Sequence, residues 1–419
     1  MRKLTLYCFA FCLLLISCEK TDGDIIHLSD DFPVYSSSVV EKVWENQLDS
    51  VEQVFSSQLT NGVIFIRSID FLNAVSAESG ELLWTVDLVA NGLSISPDFT
   101  VNYYDDKVYF ISNQYCSNKI VILDKSTGEL IETLSLQEIP GVEGGCSHLY
   151  MIEGQIFFST HRANNGWGDR YNFSFFLYQY DISNKSLDLL YSDDLVIRNS
   201  NNTIHTVLNT EETHLYFSYS TGSLNDENLV IVEVPVVGSS AEKVLFFPLG
   251  SSSLHRGSYV VKNGELIAMF KRANPYFIEA YDLSNSGKLV WSRGFNVSHD
   301  HRLSFFIHLD ELYVQGIGSR SNLRNMSSYN GITNWSRNFR FGSDLKQTLD
   351  NLPIIAMTSG RSLGLVDLMT GSVLTLHDIV ELSDIAGDSV VGIEVPDTGD
   401  NKIILITRRG KIVCLELPF

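Results

Sequence analysis

Short apolar runs separated by turn residues repeat along almost the whole chain. In the unit 61–88, residues 63–66 are continuously apolar, as expected for a strand that is buried on both faces. Further strands are predicted at 71–76 and 82–86, with a turn at 77–80 whose glycine adopts backbone angles that other residues resist. No long segment has a helical period. The pattern therefore predicts an all-β protein made of small antiparallel sheets.

A sequence motif marks these turns, with the form A-x-(D/S)-x-x-(S/T)-G-x-x-x-W. It occurs in full or in part at five places, whose key residues are Gly80 and Trp84, Asp124 and Gly128, Asp282 and Trp291, Trp335, and Asp367 and Gly371. The acidic and hydroxyl side chains can accept or donate hydrogen bonds within the turn itself. The tryptophan offers a large apolar face that suits packing between neighbouring sheets. We interpret the motif residues as structural.

The spacing of the units predicts how the sheets are arranged. Turn markers recur at intervals of about 40 to 58 residues, which is typical of four-stranded propeller blades. An eighth unit beginning near Lys402 lacks its last strand, and residues 43–48 resemble that missing strand. Such an N-terminal strand would close the ring and remove an exposed sheet edge. We predict a single β-propeller of eight blades, with seven as the alternative.

These residues resemble the pyrroloquinoline-quinone-type (PQQ-like) β-propeller family. The resemblance covers roughly residues 40–419 and is carried by the repeated turn motif. The family includes quinoprotein dehydrogenases and outer-membrane assembly lipoproteins with the same eight-bladed repeat. The resemblance therefore implies the fold, whereas one fold can carry several activities.

The N-terminus resembles a bacterial lipoprotein signal. A basic start is followed by an apolar segment, 4–16, that is too short to span a membrane comfortably. It ends in Leu15-Ile16-Ser17-Cys18, which resembles a lipobox whose cysteine becomes lipidated. We predict a signal peptide at 1–18, an acidic tether at 19–35 and the propeller at 36–419, with an ordinary secretory signal as the alternative. The expected location is the outer membrane, on its periplasmic or external face.

Charge and cysteine content narrow the range of partners. The formal net charge is −20, which argues against nucleic acid and against docking to anionic lipid by charge. Cys116 and Cys146 are predicted to lie in loops of adjacent units, where a disulfide is one of two open alternatives. Cys414 alternates within an apolar strand and is predicted to be a buried thiol.

Catalytic motifs are missing from the sequence. The chain has no adjacent cysteine pair of the kind found in many quinoproteins, and no Gly-rich phosphate loop, HExxH or GxSxG. His299 and His301 could offer two metal ligands, although a polar turn explains them as well. We therefore predict a non-catalytic scaffold with a protein partner and no cofactor. A module that binds a glycan or another small ligand is the first alternative, and a PQQ-dependent oxidoreductase is the second.

Basic residues recur at positions that the propeller fold should bring to one face. They lie at the ends of second strands and at the entries to first strands: Arg162, Arg272, Arg361, Arg409, Arg256 and Arg302. Trp167 lies between two glycines close to Arg162 and is a candidate contact residue. A positive patch on an acidic protein predicts an anion- or partner-binding mouth. The alternative is that these are ordinary polar loop residues.

Overall fold

The computed structural model describes a large part of the chain, in some strands by the backbone alone. The described residues are 40–49, 51–93, 101–114, 117–135, 138–143, 145–152, 154–165, 171–197, 205–208, 213–221, 227–236, 242–250, 252–272, 276–285, 287–295, 302–317, 321–339, 345–349, 352–359, 362–378, 389–396 and 401–417. The strands found there form eight four-stranded antiparallel sheets. The all-β class and the four-stranded blades are therefore confirmed.

The first four blades follow one another along the chain, each running from its innermost to its outermost strand. Blade 1 contains β2 (Val54–Thr60), β3 (Val63–Ser68), β4 (Phe71–Ser76) and β5 (Leu82–Asp87). Blade 2 contains β6 (Val101–Tyr104), β7 (Lys107–Gln114), β8 (Ser117–Asp124) and β9 (Leu130–Ser135). Blade 3 contains β10 (Gly145–Ile152), β11 (Gln155–Asn165), β12 (Tyr171–Asp181) and β13 (Ser186–Ile197). Blade 4 contains β14 (His205–Leu208), β15 (His214–Thr221), β16 (Glu227–Pro235) and β17 (Glu242–Gly250).

The next three blades continue in the same order, and the last one borrows a strand from the N-terminal side. Blade 5 contains β18 (Ser252–Lys262), β19 (Glu265–Arg272), β20 (Tyr276–Asp282) and β21 (Lys288–Phe295). Blade 6 contains β22 (Arg302–His308), β23 (Glu311–Ile317), β24 (Ser321–Met326) and β25 (Thr333–Phe339). Blade 7 contains β26 (Leu345–Thr348), β27 (Ile354–Ser359), β28 (Ser362–Asp367) and β29 (Val373–Asp378). Blade 8 contains β30 (Val390–Glu394), β31 (Lys402–Thr407), β32 (Lys411–Glu416) and β1 (Glu41–Gln47).

The hydrophobic core is divided among the interfaces between blades. Eight clusters of buried apolar side chains are described, and each one joins two consecutive blades. One of them packs Ile64 of blade 1 against Ile404 of blade 8, so the last blade contacts the first. Both faces of every sheet are thus covered, which explains the continuous apolar runs in the sequence. The eight interfaces form a closed ring.

The N-terminal strand closes this ring as predicted. β1 pairs antiparallel with β32, from Glu41 opposite Glu416 to Gln47 opposite Lys411. Blade 8 itself begins at Val390, earlier than the start near Lys402 that the sequence suggested. The innermost strand β30 is short and carries no turn motif, so the apolar pattern alone did not reveal it. Closure satisfies the outer edge of β32, which would otherwise present unpaired backbone groups.

Four of the five tryptophans join a blade to the turn of the next blade. Trp44, Trp84, Trp291 and Trp335 lie against Gly80, Gly128, Gly331 and Gly371, respectively. The indole N–H groups of the last three donate to turn carbonyls, namely those of Lys125 at 2.8 Å, Ser328 at 3.0 Å and Leu368 at 3.1 Å. The predicted role of the motif tryptophan in packing neighbouring sheets is therefore confirmed.

The acidic motif residues hold the turns in shape. Asp124 Oδ1 accepts hydrogen bonds from the backbone N–H groups of Ser126 and Thr127, both at 2.9 Å. These bonds favour the ionised form and lower the pKa of Asp124. Asp282 and Asp367 accept equivalent bonds from the backbone two residues further on, at 2.9 and 2.7 Å. These carboxylates are used locally within their turns.

A partly buried carboxyl group also joins the last blade to the first. Glu394 on β30 accepts a hydrogen bond from Ser57 Oγ at 2.6 Å and another from the Leu59 backbone N–H at 3.1 Å. Burial raises the pKa of Glu394, and the two hydrogen bonds offset part of that rise. The charged form is therefore more costly in the folded ring than in the unfolded chain.

Replacing Glu394 by glutamine should stabilise the ring at pH 7.5, raising the melting temperature by roughly 1–3 °C. The amide keeps an acceptor for the Leu59 N–H and carries no charge. Because the folded-state pKa of Glu394 is raised, the wild-type protein gains stability relative to pH 7.5 as the pH falls through that pKa, and the advantage of the variant should disappear near 4.5, the ordinary pKa of a glutamate. Melting curves between pH 4.5 and 8 test this prediction.

The matched control for this prediction is Glu45→Gln. The pKa of Glu45 is lowered, chiefly by its hydrogen bond from Lys42, so this change should give no gain at pH 7.5. A Glu394→Gln variant that melts below the wild type at every pH would contradict the explanation.

Candidate functional site

The strand order defines two faces of the ring. In each antiparallel blade, the second strand ends, and the first and third strands begin, at the same face. We call this the upper face; Ile69 and Arg409 lie in second-to-third-strand turns there. The motif turns, such as the one at Gly128, lie at the opposite, lower face. The predicted basic residues can be placed against this frame.

Two of the predicted arginines lie near the upper ends of second strands. Arg162 is part of β11 and its backbone pairs with that of Ser174. Arg272 is the last residue of β19, opposite Ser252. The backbone thus brings both residues to the upper face, in blades 3 and 5. Their side chains lie outside the described part of the structure.

The other predicted positions divide between strands, a turn and undescribed segments. Arg256 lies within β18 and Arg302 is the first residue of β22, so both belong to strands rather than to loops. Arg409 lies in the turn between β31 and β32 and is exposed. Arg361 and Trp167 lie outside the described residues, so their proposed contacts stay predictions.

One arginine at the upper face was missed by the sequence reasoning. Arg67 lies next to the end of β3, the second strand of blade 1, and therefore corresponds in position to Arg162 and Arg272. Its guanidinium carbon lies 5.1 Å from the centre of the Phe55 ring. Its Nε and Nη1 atoms are buried without a hydrogen-bond partner. The signal that could have found it is an arginine that directly follows the apolar run 63–66 of a second strand.

The surroundings of Arg67 combine apolar surface with more positive charge. Phe55, Ile69 and Val89 are exposed by 41%, 53% and 65%. The Val54 backbone N–H donates to the carbonyl of Arg408 at 2.8 Å, which places the exposed Arg408 beside this surface. We call the set of Phe55, Ser56, Arg67, Ile69, Val89 and Arg408 the Arg67 patch. It spans the junction of blades 8 and 1.

The cysteine predictions have mixed outcomes. Cys414 is a buried free thiol, as predicted, and burial raises its pKa to about 11. Cys146 lies in β10 and not in a loop, because the first strand of blade 3 begins earlier than the sequence suggested. Cys116 lies outside the described residues, so the disulfide stays a prediction. Cys18 also lies outside them.

The described residues contain no group of three or more His, Cys, Asp or Glu side chains that could hold a metal ion. His299 and His301 lie outside the described segments. Within those same segments, no helix is long and apolar enough to cross a bilayer. What the described part of the upper face offers is cationic and apolar contacts, at Arg67, Phe55 and Ile69.

Comparison with known families agrees with this architecture. A family model described as outer membrane protein assembly factor BamB matches residues 33–223, which include blades 1 to 3. Residues 33–223 of this β-propeller therefore resemble BamB. The description of the matched family refers to assembly at the outer membrane. No curated protein matches the chain at the threshold applied.

Several solved structures share the fold of this propeller. Saccharomyces cerevisiae Sqt1 is 12% identical to this chain, with a TM-score of 0.56. The aligned region covers 90% of this chain and 99% of the Sqt1 chain. The Dos1 propeller is 10% identical with a TM-score of 0.56, covering 90% and 95%. A prolyl endopeptidase is 11% identical with a TM-score of 0.52, covering 86% of this chain and 54% of its own. At such low identity, these likenesses concern the fold alone.

Proposed function

We propose that this protein is a lipid-anchored, non-catalytic propeller that binds a protein partner at the bacterial outer membrane. The observation that carries the proposal is the match of residues 33–223 to an outer-membrane assembly factor. The lipobox-like sequence ending at Cys18 adds a second, independent indication of the same location. One acyl-modified cysteine with several chains holds a protein on a bilayer far better than a single chain does.

The path of the chain supports an upper face that points away from the anchor. β1 is the outermost strand of blade 8 and runs from the lower face to the upper face, where the Gln47 side chain donates to the carbonyl of Arg409 at 2.9 Å. The tether that precedes β1 therefore joins the ring at its lower face. This arrangement leaves the upper face accessible to a partner.

Electrostatics support an acidic partner surface. The chain carries a net charge of −20, yet arginines recur at the upper ends of second strands. Localised positive charge on an acidic protein orients an incoming acidic partner and discourages others. Arg162 and Arg272 lie two blades apart and are the arginines chosen to test this face.

The test is recovery of the full-length protein from cross-linked cells, followed by mass spectrometry. We expect a near-stoichiometric envelope protein to accompany the wild type. The double variant Arg162→Glu and Arg272→Glu should lose most of that partner, since two attractive contacts become repulsive. Recovery of the propeller alone from wild-type cells would refute the proposal.

The matched control also replaces two positive charges by negative ones in blades 3 and 5, but at the lower face. Lys185 and Lys288 are exposed residues beside the lower turns of blades 3 and 5. The double variant Lys185→Glu and Lys288→Glu should therefore keep the partner. Equal losses in both double variants would point to net charge rather than to the upper face. A Cys18→Ala variant should no longer be found in the membrane fraction, and less of the partner should be recovered with it.

A further inference from the structure

The Arg67 patch contains charged and polar groups that the fold does not use. Arg67 Nε and Nη1 and Ser56 Oγ are all buried, and none of them has a hydrogen-bond partner. Ser56 pairs with Arg67 across β2 and β3, so the two side chains point to the same side of the sheet. Buried donors in native proteins are nearly always paired, and each exception calls for an explanation.

The charge of Arg67 makes the missing partner more significant. A guanidinium stays protonated in proteins, so it cannot avoid the cost of burial by losing its proton. Burial lowers the pKa of Arg67, which reflects that cost. Asp70 is three residues away and exposed, yet no ion pair joins it to Arg67 among the described contacts. Nothing described in the fold compensates this cation except the ring of Phe55.

A second arginine in the same propeller shows how a comparable guanidinium finds a hydrogen-bond partner. Arg324 on β24 lies 5.4 Å from the centre of the Phe295 ring and is also partly buried. Its Nε donates to Asn322 Oδ1 at 3.0 Å. The two arginines thus share the aromatic contact and differ in hydrogen bonding. This difference suggests that the donors of Arg67 serve something outside the chain.

The apolar neighbours of Arg67 specify the kind of ligand. Phe55, which contacts Arg67, and Ile69 and Val89 expose large apolar side chains at the same face. Ile69 and Val89 lie on segments that are joined by a hydrogen bond from the Leu88 N–H to the Asp70 carbonyl at 2.7 Å. Arg408, whose backbone carbonyl accepts from the Val54 N–H, adds an exposed positive charge nearby. A carboxylate flanked by apolar side chains would satisfy all of these groups together.

We propose that the Arg67 patch binds an acidic, apolar segment of a partner protein. Arg67 and Ser56 would donate to a carboxylate of that segment, and Phe55, Ile69 and Val89 would cover its apolar side chains. The inference rests on the proposed function as a partner-binding propeller, and it names a surface that the sequence did not indicate. The patch lies at the upper face, which the anchor leaves free.

The experiment measures peptide binding and stability on the same variants. The probe is a fluorescein-labelled pool of octapeptides that alternate acidic and apolar residues, compared with a pool in which Asn and Gln replace Asp and Glu. Full-length protein in detergent should prefer the acidic pool by fluorescence anisotropy. Arg67→Met should weaken that binding about ten- to a hundredfold, the range expected for charged hydrogen bonds. Its melting temperature should stay equal to the wild type or rise, because a partly buried charge with two unpaired donors is removed.

Arg324→Met is the matched control. Arg324 also lies over an aromatic ring, but its Nε has a hydrogen-bond partner. Its removal should therefore lower the melting temperature and leave peptide binding unchanged. A preference for the acidic pool that survives Arg67→Met, or no preference at all, would overturn the inference. So would a melting temperature that falls as far for Arg67→Met as for Arg324→Met. Full recovery of the cellular partner by Arg67→Met would refute this patch while leaving the proposed function intact.

Discussion

Replacing Gly128 by alanine should destabilise the protein by about 2–5 kcal/mol, the sum of a backbone penalty and an overpacking penalty. Gly128 has a φ of 71°, in the region that residues with a Cβ atom resist. An added Cβ would lie 2.6 Å from Cδ2 of Trp84, closer than non-bonded carbons can approach. The indole cannot retreat easily, since its N–H donates to the Lys125 carbonyl at 2.8 Å.

The control that separates the two penalties is Gly62→Ala. Gly62 has a nearly identical φ of 73°, yet an added Cβ there would meet nothing within 4 Å. This variant should therefore lose only the backbone share, about 1 kcal/mol. Urea unfolding, monitored by tryptophan fluorescence and by circular dichroism, compares the two variants with the wild type. Equal losses in both would mean that crowding against Trp84 adds no cost at Gly128.

The contrast between these two glycines shows what the sequence could predict. The motif identified Gly80, Gly128 and Gly371 as turn glycines because the chemistry of a turn is local. It also assigned the tryptophans to packing, since a large apolar side chain on an outermost strand needs a neighbouring surface. Closure by β1 was predictable from an incomplete last blade. These features depend on spacing along the chain.

The features that the sequence did not reveal depend on contacts between distant segments. Glu394 looks like any strand carboxylate until Ser57 and Leu59 are placed against it. Arg67 looks like any arginine at the end of a strand, and its unpaired state is visible only when every neighbour is known. Whether a buried polar group has a hydrogen-bond partner depends on residues that are distant in the sequence, so no local pattern predicts it.

The described tryptophan contacts are found at four of the eight junctions between blades. They occur where blade 8 meets blade 1, where 1 meets 2, where 5 meets 6, and where 6 meets 7. At the junction of blades 4 and 5, the described cluster contains three tyrosines, including Tyr259, whose hydroxyl group reaches only to 3.5 Å from the Tyr216 carbonyl. Tyrosine hydroxyls need polar partners when they are buried, and those of Tyr216 and Tyr281 donate to the carboxylates of Glu233 and Glu279.

A chain that begins at Leu48 should fail to form a stable monomeric ring, the largest effect expected of any change considered. It lacks β1, so the edge of β32 loses its partner along 411–416. That strand, with the sequence KIVCLE, is apolar at its centre and would present free backbone groups to other molecules. The same deletion removes the contact of Trp44 with Gly80 and the hydrogen bond from Asn46 Nδ2 to the Gly80 carbonyl at 2.6 Å. Size-exclusion chromatography with light scattering should therefore show oligomers or aggregate.

A chain that begins at Ser36 is the control, since it keeps β1 and starts at the predicted domain boundary. It should elute as a monomer and melt as the longer protein does. A synthetic peptide covering residues 40–48 should rescue the shorter chain by adding back the missing strand. Rescue would show that the ring fails for want of one strand and not because its other blades cannot fold. A stable monomer from the chain that begins at Leu48 would instead mean that the contacts of blade 8 with blade 1, through Ile404 and Ile64, suffice to close the ring.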